Sequence, residues 1–160
     1  MAPENKHYVI TGAPSTGKSS VINELRKMNF VCHDEVARGI IKENQENNHN
    51  VFPWINMREF SDMVYYRMKN SVELQSDDLC FLDRSVVDLI GYMEFANEKA
   101  PINYSEFAQS SRYAKKVFIM PLWASIYTND KERKESIEEA KTIDYNLRKS
   151  YKNLGFELID

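Results

Sequence analysis

The strongest chemical signal in the chain is Gly12-Ala13-Pro14-Ser15-Thr16-Gly17-Lys18-Ser19, which fits G-x-x-x-x-G-K-[ST] in full. Its context fits too: apolar His7 to Thr11 reads as a strand running in, and Ser19 to Met28 as a helix leaving. Glycines let the backbone curl so that successive N–H groups point at an anion. The helix adds its positive N-terminal end. Lys18 is a mobile point charge for β- and γ-phosphates. The Ser19 hydroxyl can take a magnesium site, and Ser20 after it is the last of the expected nucleotide-binding residues. Nucleotide binding is the expectation.

Three further groups stand where such a loop would need help. Leu79-Cys80-Phe81-Leu82 reads as a strand ending at Asp83, followed by Arg84-Ser85. An acid at the carboxyl end of a parallel strand faces the ligand crevice, so Asp83 can hold magnesium opposite Ser19 while Arg84 braces phosphates. Phe30-Val31-Cys32-His33 ends in Asp34-Glu35, with Arg38 three residues beyond Glu35 on one helix face. Glu35 could accept the proton of an attacking hydroxyl; the plainer reading is a helix-start acid, a role that suits Asp34 better. The stretch 127–134 is charged, and Arg133 would serve on a lid at about 121–135 that excludes water from the phosphates. A solvated charge run explains the same letters. Trp54 and Tyr92 are the aromatics chosen for stacking on an acceptor base, though most aromatics here belong to a core.

The elements that must position these groups follow from periodicity. Met57 to Leu74 carries Met57, Phe60, Val64, Met68 and Val72 at helical spacing. Helices are also expected over Asp34–Asn44, Val86–Ala96 and Lys131–Leu154, the last stopped by Gly155. Glu43 to Asn50 reads as a loop or frayed helix end. Lys116–Met120 and Phe156–Ile159 complete the strands. Alternation of apolar strands with helices indicates α/β architecture: a three-layer sandwich with a parallel sheet of about five strands and helices on both faces. At 160 residues this is one domain spanning 1–160.

Composition narrows the function. A net charge of -3 offers no basic nucleic-acid footprint. No apolar run reaches the ~20 residues of a membrane span. Cys32 and Cys80 have no zinc spacing and read as buried thiols in a reducing, cytoplasmic setting. Only 5 residues are glycine, few for a turn-rich β fold, and Gly12 and Gly17 belong to the phosphate loop. Gly39 and Gly91 fall inside expected helices, which suggests close backbone packing near the cleft. Asn129-Asp130-Lys131 has the letters of a guanine reader in the wrong order, so a GTP-using protein is the weakest reading.

Together, the phosphate loop, Asp34 to Ile41, Phe81 to Asp88, Asn129 to Arg133 and Tyr151 to Ile159 resemble the AAA-type, nucleoside-kinase-like P-loop family. That family is similar to thymidylate kinases, deoxynucleoside kinases and ribosylnicotinamide kinase domains. The resemblance implies ATP and Mg2+ as cofactors. It implies Glu35 as base, Asp83-Arg84-Ser85 as the acidic-Arg-Ser motif, and Arg133 as a lid arginine. Members usually continue for another helix, so the C-terminal edge is expected to be incomplete. The expected function is transfer of the ATP γ-phosphoryl group to a small acceptor, a nucleoside or nucleotide. Lys18, Glu35, Arg84 and Arg133 would act in catalysis, and Glu35, Arg38, Trp54 and Tyr92 at the acceptor. The alternative is a nucleotide-binding regulatory ATPase or switch with no such acceptor. Monomer and homodimer both remain open.

Overall fold

The computed structural model describes residues 4–14, 16–74, 78–122 and 135–160. The strands are β1 (His7–Thr11), β2 (Val31–His33), β3 (Cys80–Asp83), β4 (Lys116–Ile119) and β5 (Glu157–Ile159). The helices are α1 (Lys18–Lys27), α2 (Val36–Glu46), α3 (Met57–Leu74), α4 (Val86–Phe95), α5 (Ile102–Ser110) and α6 (Ile137–Asn153). The strands form one sheet in the order β2-β3-β1-β4-β5, and every pairing is parallel. Parallel neighbours need crossovers, and the helices supply them.

Register decides which side chains face which layer. Val9 pairs with Leu82, and both are buried in the main core with Val117. Helices α2 to α5 pack there, and four of the five residues in the stripe expected on α3 are buried: Phe60, Val64, Met68 and Val72 are all at most 5% exposed, while Met57 at its start is half-buried. The alternate residues Tyr8, Phe81 and Phe118 form a half-buried aromatic row on the opposite face, the α1 side, with ring centroids 5.9 and 6.1 Å apart. Helix α1 meets β2 and β3.

Several boundaries differ from expectation for local reasons. Helix α6 begins at Ile137 because Ser136 and Glu139 form a capping box, each side chain accepting from the other's backbone N–H at 3.2 Å. Helix α2 runs on to Glu46, so the polar stretch from Glu43 is helical at first and leaves the helix at Asn47. Helix α5 was not anticipated. Cys80 is buried and its thiol is pushed up to about 11 by that burial, whereas Cys32 is half-buried. Gly91 packs tightly, but against α6: a Cβ there would lie 3.0 Å from Leu147 Cδ2 and 3.3 Å from its backbone nitrogen. Gly39 has open space around its Cβ position, so the packing reason expected for it does not hold.

Candidate functional site

The phosphate loop joins β1 to α1. Gly12 adopts φ +151°, and a Cβ there would come within 2.8 Å of Thr16 Oγ1 and 3.1 Å of the Met120 carbonyl oxygen. Only glycine fits both the angle and the space. Thr16 Oγ1 donates to the Ala13 carbonyl at 3.0 Å, and Gly17, at φ +84°, caps α1 in the left-handed region. Gly12 and Ala13 are buried, Pro14 half-buried, and Ser19 and Ser20 exposed on the first turn of α1. Ser15 lies outside the described residues.

Lys18 is 7% exposed, and its Nζ lies 2.5 Å from Asp83 Oδ1 and 3.8 Å from Glu35 Oε2. Arg84 Nε is 3.4 Å from Glu35 Oε1, and Arg84 Nη1 is 2.8 Å from Asp88 Oδ2. Arg38 Nη2 reaches Glu35 Oε2 at 3.9 Å from its exposed position on α2. The loop, the end of β2, the end of β3 and the start of α4 thus bring three cations and three carboxylates into one cluster.

Glu35 shows how the sequence is diverted from its local preference. It is the N-cap of α2, where an acid stabilises the free N–H groups. Yet its side chain makes no capping bond and turns into the ion cluster. Burial would raise its carboxyl, but Arg84, Lys18 and Arg38 outweigh that and hold it below the ordinary range. Asp83 goes the other way: burial raises it, and Lys18 only partly offsets the effect. Burial would depress the Arg84 guanidinium, yet Tyr92, Glu35 and Asp88 keep it well above its ordinary value. Asp34 stays outside the cluster, paired with Arg26 at 2.6 Å.

The two aromatic positions separate. Tyr92 is packed under Arg84, whose guanidinium carbon stands 5.2 Å from the ring centroid, and it leans on the Ile143–Leu147 cluster. Its ring therefore stacks on a cation rather than offering itself to a base. Trp54 is 49% exposed and stacks on Phe52 at 4.8 Å and 5°. It lies outside the narrow cavity beside Asp83 and Arg84, whose other walls include His33, Val36, Met68, Ser71 and Tyr113, so it could reach an acceptor only where that acceptor extends beyond this cavity. Arg133 lies outside the described residues, as does most of the stretch expected to be a lid.

Sequence reasoning assigned no task to Asp88, Tyr151 or His33. Asp88 carried a signal, since Ser85-Val86-Val87-Asp88 is a capping-box pattern before an apolar run. Tyr151 carried none. For magnesium, Ser19 and Asp83 offer a hydroxyl and a carboxylate, the oxygen donors a hard cation takes. Among the described residues no group of three or more His, Cys, Asp or Glu forms a metal cage. As donor types, a hydroxyl and a carboxylate suit magnesium, which commonly takes its remaining ligands from phosphates and water.

The AAA domain family matches residues 7–160. No curated protein matches the sequence. Among solved structures, the deoxyadenosine kinase from M. mycoides with products dCMP and dCDP is 13% identical with a TM-score of 0.63, covering 96% of this chain and 89% of that one. The same enzyme with bound dATP is 15% identical with a TM-score of 0.56, covering 96% and 91%. NadR protein in complex with NR is 18% identical with a TM-score of 0.63; the match covers 96% of this chain and 43% of that chain's length. The fold is therefore α/β of the P-loop, nucleoside-kinase-like kind.

Proposed function

The chain belongs to the AAA domain family, and from that premise we propose that it is an ATP- and magnesium-dependent kinase for a nucleoside or nucleotide, working in a cytoplasmic setting. The observation that carries this reading is the convergence of Lys18, Glu35, Asp83 and Arg84 within one buried ion cluster beside the phosphate loop. A pure nucleotide-binding module needs the loop and Lys18 but has no use for a desolvated glutamate that gives up its capping role. The neighbours of similar fold support the acceptor class: one holds dCMP and dCDP as products, another holds NR.

The backbone N–H groups of the loop and Lys18 bind the donor phosphates. The flexible stem of Lys18 lets its ammonium turn from Asp83 to a phosphate oxygen without moving the backbone. Magnesium held by Ser19 and Asp83 would neutralise phosphate charge. Arg84, fixed between Asp88 and Glu35, meets charge developing on the transferred group. Glu35, kept ionised by its cationic neighbours, takes the proton of the acceptor hydroxyl as that oxygen attacks. Arg133 would add charge from a lid, Arg38 would meet the acceptor from the rim of α2, and Trp54 would cover its base.

The test is Glu35→Gln. Acceptor-stimulated ADP release should fall by roughly a hundredfold or more, with ATP affinity within a few-fold of wild type. A variant that keeps its acceptor-stimulated rate removes Glu35 as base. A wild-type protein with no acceptor-stimulated turnover is the switch module instead.

A further inference from the structure

Asp88 is a carboxylate that phosphoryl transfer does not call for, yet it is 1% exposed and fully bonded. Its Oδ2 accepts from Thr11 Oγ1 at 2.6 Å and from Arg84 Nη1 at 2.8 Å. Its Oδ1 accepts from the Ser85 backbone N–H at 3.3 Å and from the Tyr151 hydroxyl. A carboxylate has about four lone-pair sites, so each one here has a donor. Tyr151 is 0% exposed and comes from α6, 63 residues farther along the chain.

The direction of the hydrogens follows from this. The Tyr151 hydroxyl has a single hydrogen, and it goes to Asp88. Ser85 Oγ, 2.7 Å from the Tyr151 oxygen, must then donate to it, while accepting from the Val87 N–H at 3.1 Å. The relay runs from Ser85 through Tyr151 to Asp88 Oδ1, and the other oxygen of the same carboxylate, Oδ2, holds Arg84.

Arg84 needs such a grip. Its backbone φ is +71°, a region uncommon for any residue but glycine. Its N–H bonds the Ile10 carbonyl at 3.0 Å, which fixes where the side chain starts. From there the guanidinium has two carboxylates to choose from. Asp88 holds it at 2.8 Å and Glu35 at 3.4 Å. If Asp88 turned away, the guanidinium would close on Glu35 and neutralise the proposed base.

We propose that Tyr151 is a positioning residue for Arg84, acting through Asp88, so that helix α6 sets the geometry of an arginine in the phosphate site. This rests on the reading of Arg84 as a phosphate ligand. Tyr151→Phe is the informative substitution, because it keeps the ring and its edge contact with Phe156 at 5.7 Å and removes only the hydroxyl.

The experiment compares ATP and ADP affinity by titration calorimetry with magnesium, together with the thermal midpoint. The variants are Tyr151→Phe, Arg84→Ala and the double variant. The preference for ATP over ADP should fall by roughly tenfold in Tyr151→Phe and at least as far in Arg84→Ala. The double variant should fall no further than Arg84→Ala alone. An unchanged preference in Tyr151→Phe, whatever its thermal midpoint, overturns the proposal, as does a double variant that loses the product of both effects. Should Tyr151→Phe fail to fold, Asp88→Asn reads the same ratio, and a ratio equal to wild type overturns it. If the wild-type protein binds neither nucleotide, the phosphate-site reading fails, and the positioning of Arg84 is judged by its side-chain N–H resonance. That signal should be narrow in wild type and broadened in Tyr151→Phe; identical signals count against the proposal.

Discussion

Two arginine–glutamate pairs, Arg67 with Glu43 and Arg84 with Glu35, use the same groups in opposite surroundings. Arg67 on α3 reaches both oxygens of Glu43 on α2 at 2.9 Å, with side chains 45% and 53% exposed. Arg84 meets Glu35 only at 3.4 Å, with side chains 9% and 18% exposed. The closer pair is worth less. Water screens it, and exposed pairs contribute about 0–1 kcal/mol. The looser pair is desolvated, shares each partner with other charges, and cannot lose one member cheaply. A fold that wanted only stability would place its best geometry where screening is weakest. Here the buried pair is held at a longer distance with Asp88, Lys18 and Asp83 around it, so each of its members is shared among several charges.

The sharpest way to break this comparison is Lys18→Ala. Phosphoryl transfer should fall by roughly a hundredfold to a thousandfold, with the circular dichroism of a folded protein retained. Transfer near the wild-type rate would reduce the buried cluster to a structural feature.

A smaller effect separates the two regions by pH. Glu35 is held below its ordinary value of 4.5, so its stabilising contribution is complete above that pH and is lost as pH falls through the lowered value. Asp83 has the opposite sign. Its carboxyl is raised above 3.8, so stability is lost as pH rises from 3.8 through the raised folded value. The Asp83 effect runs the other way in both proteins, so the Glu35 contribution shows in the difference: as pH falls below 4.5, denaturant midpoints of wild type should drop relative to those of Glu35→Gln. A Glu35→Gln profile parallel to wild type in that window contradicts the assigned shift.

The smallest effect is expected at the surface. Arg67→Ala should change stability by no more than about 1 kcal/mol and leave any catalytic rate untouched. A loss larger than that, read from denaturant midpoints, would mean that burial is not what distinguishes the two pairs.

What the sequence revealed depended on distance along the chain. The phosphate loop is contiguous, so its residues announce it. The α3 stripe repeats every three or four residues and is buried as expected from Phe60 onward. Asp83-Arg84 could be placed because a strand delivers it. Helix α5 escaped because only Tyr104 and Ala108 on it are buried, and Ile102 at its start is 73% exposed, so no stripe marks it. The start of α6 at Ile137 is decided by the Ser136–Glu139 capping box, a weaker sequence pattern than the charge run before it, whose residues 131–134 lie outside the described ones. Gly91 and Gly39 look alike in sequence, yet only Gly91 meets a crossing helix. The bond between Tyr151 and Asp88 joins residues 63 positions apart, and no periodicity or local motif reports it. Glu35 carried two readings, a proton acceptor and a plain helix-start acid; it does stand at the N-cap of α2, but three cations the fold places beside it draw its side chain off the capping bond.

If the protein is a kinase as proposed, the buried cluster serves transfer to an acceptor, and not nucleotide binding alone. ADP release from Mg-ATP, measured with each of a panel of nucleosides and nucleotides against a no-acceptor control, tests it most directly. At least one acceptor should raise the rate well above the control, with the phosphorylated product formed in equal amount to ADP. A rate that no acceptor raises, in a protein shown to bind ATP, would contradict it.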